Sequence, residues 1–369
     1  MKILLMGGLA CGGAEHQMVI IAKELSKRGF DVFFATPDCN GFFRAELEKS
    51  KVRIIEILPS SKVGKLKPNI LFTIWNLYKF VKKEHIKVGC SFLGSFNFAN
   101  CVLAMLIGKK YRAITGLRNA RESLLLSMRE RFYSKFERFS SLKVCNSENA
   151  RRLYSKYFPQ YKNKLEVVYN IVDLPTISSD YQGKKNDKIH FVVPASYREV
   201  KNAFGLLEAL KLFSVEELSK FDITWYGDTN HGTLPYFVKL KEDVYKHNLQ
   251  NVFFLKDATN DIANVMNMAD VIALFSSSEG LPNAICEGMM LGKPIVMTKV
   301  SDYNVLVDQH NGFLCDWDDF HSIKDALCSF LRLSNDDLLR MGDASRKKAF
   351  ELFSKECNIR KWRQIIKTT

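Results

Sequence analysis

No cysteine pair in this 369-residue chain has C-x-x-C spacing, although nine cysteines are present, at positions 11, 39, 90, 101, 145, 286, 315, 328 and 357. An odd, scattered set suits a reducing compartment rather than a disulfide framework, and it offers no zinc site. Long apolar runs are also missing. The longest weakly polar stretch, residues 92–107, is interrupted by Asn97 and Asn100 and falls short of the roughly 18 apolar residues a spanning helix needs. The opening MKILLM is too short for the apolar core of a signal peptide and runs straight into a glycine loop, so it is expected to be a first strand. No internal repeat, low-complexity tract, G-x-S-x-G elbow or P-loop ending in Gly-Lys-Ser/Thr occurs. These absences predict a cytoplasmic protein without a transmembrane segment.

What is present is ordinary globular material, with 47% hydrophobic and 25% charged residues over a length that suits two domains. The charge is unevenly spread. Residues 1–173 carry 30 Lys+Arg against 14 Asp+Glu, a net of +16, and the remainder 24 against 26, a net of −2. The basic half predicts an acidic partner: anionic lipid headgroups, a phosphorylated substrate or nucleic acid. Nucleic acid is the least expected of these, because no base-stacking aromatics interleave with the cations.

Strand and helix patterns alternate through both halves. Apolar runs at 2–6, 31–35, 88–93, 113–115, 142–145 and 165–169 read as strands, as do 189–193, 223–226, 252–255, 271–275 and 295–297. Helical spacing marks residues 14–28, 121–138, 203–213, 237–246, 262–268, 282–291, 322–333 and 344–367. A polar stretch with Pro, Ser and Gly at 173–188 reads as a linker. Alternation repeated twice implies two parallel sheets covered by helices. Three segments are expected: 1–173 and 174–345, each Rossmann-like, and 346–369, a helix returning to the first domain.

The strongest chemical signal is the segment from Ser276 to Met289, which follows a strand and opens a helix. Gly280 would let a ligand approach the backbone, and Pro282 suits the first helical position. Free amides and the helix dipole there favour an anion. Glu279 and Glu287, eight residues apart, flank that anion position with carboxylates that accept hydrogen bonds from hydroxyls.

This segment resembles the E-x7-E motif of the GT-B glycosyltransferases, in particular family 4. The resemblance spans nearly the whole chain and includes Gly12-Gly13-Ala14-Glu15, Cys145-Asn146-Ser147, Val168 to Asp173, and Arg198-Glu199-Val200-Lys201-Asn202. It implies an α/β GT-B fold, two Rossmann-like domains facing each other across a cleft, and a metal-independent, retaining sugar transfer from a nucleoside diphosphate donor, UDP favoured, with no cofactor. By the same resemblance Glu279, Lys201 and Arg198 are catalytic, with Glu279 on the donor sugar and the two cations on the diphosphate. Glu287 would hold the ribose, and Gly280, Leu281, Pro282 and Asn283 the rest of the donor. A departing nucleoside diphosphate gains negative charge, which fixed cations stabilise. Many relatives carry the arginine further upstream, where this chain has Ser196, so Lys201 is the firmer assignment.

Gly12 and Gly13, with Arg118 and Asn119, form the expected acceptor or phosphate loops. Many relatives have a histidine near 116–119, but this chain has none between His85 and His190, so the departing phosphate oxygen is expected to take the acceptor proton. Arg118 either touches a substrate or pairs with Glu122. The Asp316-Trp317-Asp318 triplet is expected to cap a helix through Asp318 or Asp319 rather than bind metal. The expected partners are a nucleotide-sugar, a glycan or lipid-linked acceptor in cell-surface polysaccharide synthesis, and the anionic inner face of the cytoplasmic membrane. A nucleic-acid-binding protein, or an epimerase or phosphorylase of the same fold, remains the alternative.

Overall fold

The computed structural model describes residues 1–10, 12–57, 70–118, 122–174, 188–230 and 232–368. Among them, thirteen strands form two all-parallel sheets. In the first, β1 (Lys2–Met6), β2 (Asp31–Thr36), β3 (Arg53–Glu56), β4 (Val88–Phe92), β5 (Arg112–Leu117), β6 (Ser140–Cys145) and β7 (Leu165–Val167) run in the order β3-β2-β1-β4-β5-β6-β7. In the second, β8 (Ile189–Pro194), β9 (Phe221–Gly227), β10 (Phe253–Asp257), β11 (Val271–Leu274), β12 (Ile295–Thr298) and β13 (Gly312–Cys315) run β10-β9-β8-β11-β12-β13. Both are doubly wound orders whose strand sequence reverses once, beside the first strand of each sheet.

The chain divides into two compact units, Met1–Ile171 with Lys355–Thr369, and Val172–Ser354. Most of the 173–188 stretch read as a linker, and Asn119, fall outside the described residues.

Central strands are buried on both faces, β4 along its whole length and β1 from its second residue on, which is why they are nearly unbroken apolar runs. Two polar side chains tie the helix Gly94–Ile107 to this sheet. Asn97 Nδ2 donates to the Gly116 carbonyl at 2.8 Å, and Asn100 Nδ2 to those of Gly89 and Ile114 at 3.0 and 3.2 Å, while Tyr111 Oη donates to Asn100 Oδ1 at 2.8 Å. The asparagines that break the apolar run are thus fully used inside the core. Gly89 is required there, because a Cβ would lie 1.8 Å from the Tyr111 hydroxyl.

Two helices expected to be continuous are broken. The 121–138 pattern divides into Glu122–Leu125, Met128–Ser134 and a 3-10 turn at Glu137–Phe139, with Ser127 capping the second by accepting from the Glu130 amide. The 344–367 pattern divides at Ser354, whose ψ of 146° ends Asn335–Phe353 before Lys355–Lys367 begins. That last helix buries Ile359, Trp362, Ile365 and Ile366 in the core of the first unit.

Candidate functional site

In open parallel sheets, ligands bind beyond the carboxyl ends of the strands where the order reverses. In the second unit that point lies between β8 and β11. The chain leaving β8 forms a 3-10 turn, Glu199–Lys201, followed by Asn202 in the left-handed region at φ 63°. The chain leaving β11 forms the 275–282 loop. The two are stitched together by Ser277, whose amide donates to the Val200 carbonyl at 2.9 Å.

This stitching brings Lys201 onto Glu279. Lys201 Nζ lies 2.6 Å from Glu279 Oε1, which also accepts from Ser276 Oγ at 2.6 Å. Both contacts fall on Oε1, and Oε2 makes no hydrogen bond among the described residues. The side chains are 23% and 10% exposed, so the pair can be reached from solvent. The loop is held from below: Thr298 Oγ1, at the end of β12, donates to the Ser276 carbonyl at 2.6 Å, and Ser301 Oγ donates to the Gly280 carbonyl. Thr298 and Ser301 were not legible as site residues, because they lie beyond the motif in sequence.

Glu287 sits one turn into the helix Asn283–Met290. That helix packs close enough to β11 that a Cβ on Gly288 would fall 2.8 Å from Ile272. Burial pushes the Glu287 carboxyl up to about 7, and no cation or hydrogen-bond donor among the described residues offsets it. A carboxyl so placed is short of a partner that a ligand hydroxyl could supply.

Two site residues are placed differently from the sequence expectation. Pro282 occupies the N-cap position, not the first helical one, with φ −76° and ψ 87°; the helix begins at Asn283. Leu281 and Pro282 are buried, and Asn283 is half-buried. Arg198 is exposed and makes no ion pair among the described residues, so the structure brings Lys201, not Arg198, onto Glu279. Beside the Lys201 turn opens a cavity of about 670 Å3 lined in part by Phe204, Tyr236, Lys239 and Trp317.

Asp316 is spent on an ion pair with Lys299 at 2.7 Å. Asp319 caps the helix Phe320–Leu331 by accepting from the His321 and Ser322 amides.

In the first unit Gly12 is the N-cap of the helix Gly13–Lys27. The Glu15 carboxylate folds back over it, so that a Cβ on Gly12 would meet Glu15 Oε2 at 2.4 Å. Arg118, at the end of β5, does not pair with Glu122, which is taken by Lys156 at 3.1 Å. Its Nη1 donates to Asn170 Oδ1 at 3.0 Å, and its guanidinium lies 3.7 Å from the centroid of the Phe92 ring. Among the described residues its covered Nε and Nη2 find no acceptor, and Oδ1 of neighbouring Asn146 finds no donor. Burial pulls the guanidinium down to about 9, which leaves it charged at neutral pH. Asn146 and Asn170 were legible as motif residues, but their convergence on Arg118 was not.

A family model described as "Glycosyltransferase Family 4" matches residues 11–175, and one described as "Glycosyl transferases group 1" matches 176–348. The chain belongs to the glycosyltransferases. The UDP-Gal:alpha-D-GlcNAc-diphosphoundecaprenol alpha-1,3-galactosyltransferase of Escherichia coli is 26% identical over 72% of this chain and 71% of its own. An uncharacterized glycosyltransferase of Haemophilus influenzae is 24% identical over 97% of both chains. The crystal structure of Anabaena HepE in complex with UDP superposes with a TM-score of 0.82 over 100% of both chains at 17% identity. This glycosyltransferase thus shares the GT-B fold of HepE.

The Arg118 donors give a graded prediction. Arg118→Lys keeps the charge but loses the fork, and should raise the KM of one substrate by about tenfold, the value of one charge-assisted hydrogen bond. Steady-state kinetics with each substrate varied will check this; an unchanged KM with a lowered Tm would make Arg118 a packing residue only.

Proposed function

We propose that this glycosyltransferase moves a hexose or N-acetylhexosamine from a UDP-sugar to a glycan or lipid-linked acceptor, with retention of anomeric configuration, in cell-surface polysaccharide synthesis. The observation that carries the reading is the Lys201–Glu279 pair at 2.6 Å, seated between β8 and β11, with Glu287 one turn into the helix that follows. A pyrophosphate lying at the start of the helix Asn283–Met290 would meet its amides and dipole and Lys201. Arg198 is free to swing onto the same group. The sugar hydroxyls would reach Glu279 and the ribose hydroxyls Glu287.

In this scheme fixed cations and amide dipoles take up the charge that grows on the leaving UDP, so no divalent ion is needed. As the glycosidic bond to phosphate breaks, the departing phosphate oxygen accepts the acceptor hydroxyl's proton on the same face of the sugar, which retains configuration. The HepE complex with UDP and the similarity to the UDP-Gal:alpha-D-GlcNAc-diphosphoundecaprenol alpha-1,3-galactosyltransferase support this choice of donor and acceptor class. No helix among the described residues is long and apolar enough to cross a membrane. The excess of cations in residues 1–173 supports attachment to the anionic inner face of the cytoplasmic membrane.

A thermal-shift screen against UDP, GDP and ADP tests the donor. UDP at a hundred times its Kd should stabilise the protein by about 2.7 kcal/mol. Stabilisation by GDP alone, or abolition of transfer by EDTA, would overturn the scheme.

A further inference from the structure

At the amino ends of β1, β4 and β5, opposite the glycine loop and Arg118, the first unit opens a cavity of about 1210 Å3. Its base is closed by the core side chains Val81, Ile86, Val88 and Ile366, at 2%, 3%, 1% and 0% exposed, and by the half-buried Ile107. Its rim is cationic: Lys2, Lys82, Lys87, Lys109, Lys110, Arg112 and Lys367 face a single carboxylate, Glu84. Lys2 is paired with Glu84 at 2.9 Å. Arg112 donates to the Ile365 and Ile366 carbonyls at 3.0 and 3.3 Å and so caps the last helix.

Cations near helix carboxyl ends are common, because they complement the dipole. That accounts for one or two per helix, and here the carboxyl ends of Ile70–Glu84, Gly94–Ile107 and Lys355–Lys367 bring theirs to one rim. Lys82, Lys87, Lys109 and Lys110 are exposed and have no ion pair among the described residues. Their mutual repulsion, unrelieved by interspersed acids, costs free energy that an anion would remove. Beside the rim, Met105 and Leu106 in the last turn of Gly94–Ile107 are 41% and 51% exposed. A cationic rim beside the accessible aliphatic side chains Met105, Leu106 and Ile107 matches an amphiphile with an anionic head.

We infer that this groove is a docking site for anionic phospholipid, and that it seats the first unit on the membrane by the amino ends of its strands. The inference rests on the membrane reading above and adds the residues that make the contact.

Vesicle flotation tests it, using phosphatidylcholine vesicles with and without phosphatidylglycerol. Wild-type protein should float with the anionic vesicles at low salt and release as salt rises. A variant carrying Lys87→Gln, Lys109→Gln and Lys110→Gln should bind them on the order of a hundredfold more weakly, at roughly fivefold per cation. A control with the same charge change elsewhere on the first unit, Lys49→Gln, Lys51→Gln and Lys162→Gln, should lose less than about fivefold. An unchanged UDP thermal shift in both variants shows that each is folded. Equal losses in the two variants would reduce the effect to net charge and overturn the groove as the site, as would undiminished binding by the groove variant. Wild-type protein that ignores anionic vesicles would remove the membrane reading itself, and transfer to a soluble acceptor would still report on the donor site.

Discussion

Turnover of a Lys201→Ala variant is expected to fall by on the order of a thousandfold, as when one preorganised stabiliser of transition-state charge is removed. The donor pyrophosphate is already doubly charged in the ground state, so binding should weaken less than turnover; the cation matters most as the glycosidic bond to phosphate lengthens. Glu279→Ala should produce a loss of similar order by a different route, because it frees Lys201 and Ser276 Oγ from their shared acceptor and removes the hydroxyl acceptor. Because the two side chains act as one unit, the double variant should lose little more than either single one. Stability should hardly change, since partly exposed ion pairs contribute about 1 kcal/mol or less. Single-turnover kinetics on folded variants will check this. Turnover within tenfold of wild type in both would end the assignment of this pair to the reacting centre.

The second large effect concerns Glu287. Its carboxyl is raised from the usual carboxylate range to about 7 in the folded protein because burial disfavours the charge. The folded state therefore holds the proton more tightly than the unfolded chain. Stability from this group is fully present below about pH 4.5 and is lost as pH rises toward 7, and above that the ionised carboxylate is carried at full cost. Glu287→Gln should therefore leave stability at pH 4 nearly unchanged and raise that of the ligand-free protein at pH 8 by up to roughly 3 kcal/mol. The same variant should bind UDP more weakly, because an amide is a poorer acceptor for ribose hydroxyls. In wild type, hydroxyls that bind the ionised form should pull the carboxyl back down. UDP binding near pH 7 should then release a proton and strengthen as pH rises through 7. Calorimetry in buffers of different ionisation enthalpy reads this directly. Proton uptake on binding, or a Gln variant less stable than wild type at pH 8, would contradict it.

The central strands were legible because burial on both faces makes them unbroken apolar runs. Two of the four edge strands, Arg53–Glu56 and Gly312–Cys315, were not. Each pairs on one side only and is partly exposed, so charge and glycine dilute the apolar signal that a run-based reading depends on. Helix breaks at Ser127 and Ser354 escaped notice for a related reason. Helical periodicity carries across a single capping serine, and only the tertiary packing reveals that the chain has turned.

At the site, the spacing of Glu279 and Glu287 could be read directly, but their chemistry could not. Lys201 and Glu279 are 78 positions apart and meet because β8 and β11 are hydrogen-bonded neighbours. Arg118 illustrates the opposite outcome. Glu122 was an obvious local partner by spacing, yet the chain leaving β5 buries the guanidinium against Phe92 and hands it to Asn170.

The core that holds Val19, Ile21 and Phe92 also includes Ile359, Trp362, Ile365 and Ile366 from the final helix. Synthesis runs from the amino end, and domains ordinarily fold as they emerge. Here the half that is translated first lacks part of its interior until the helix Lys355–Lys367 has been made. Its nascent form therefore waits with an apolar seam open to chaperones.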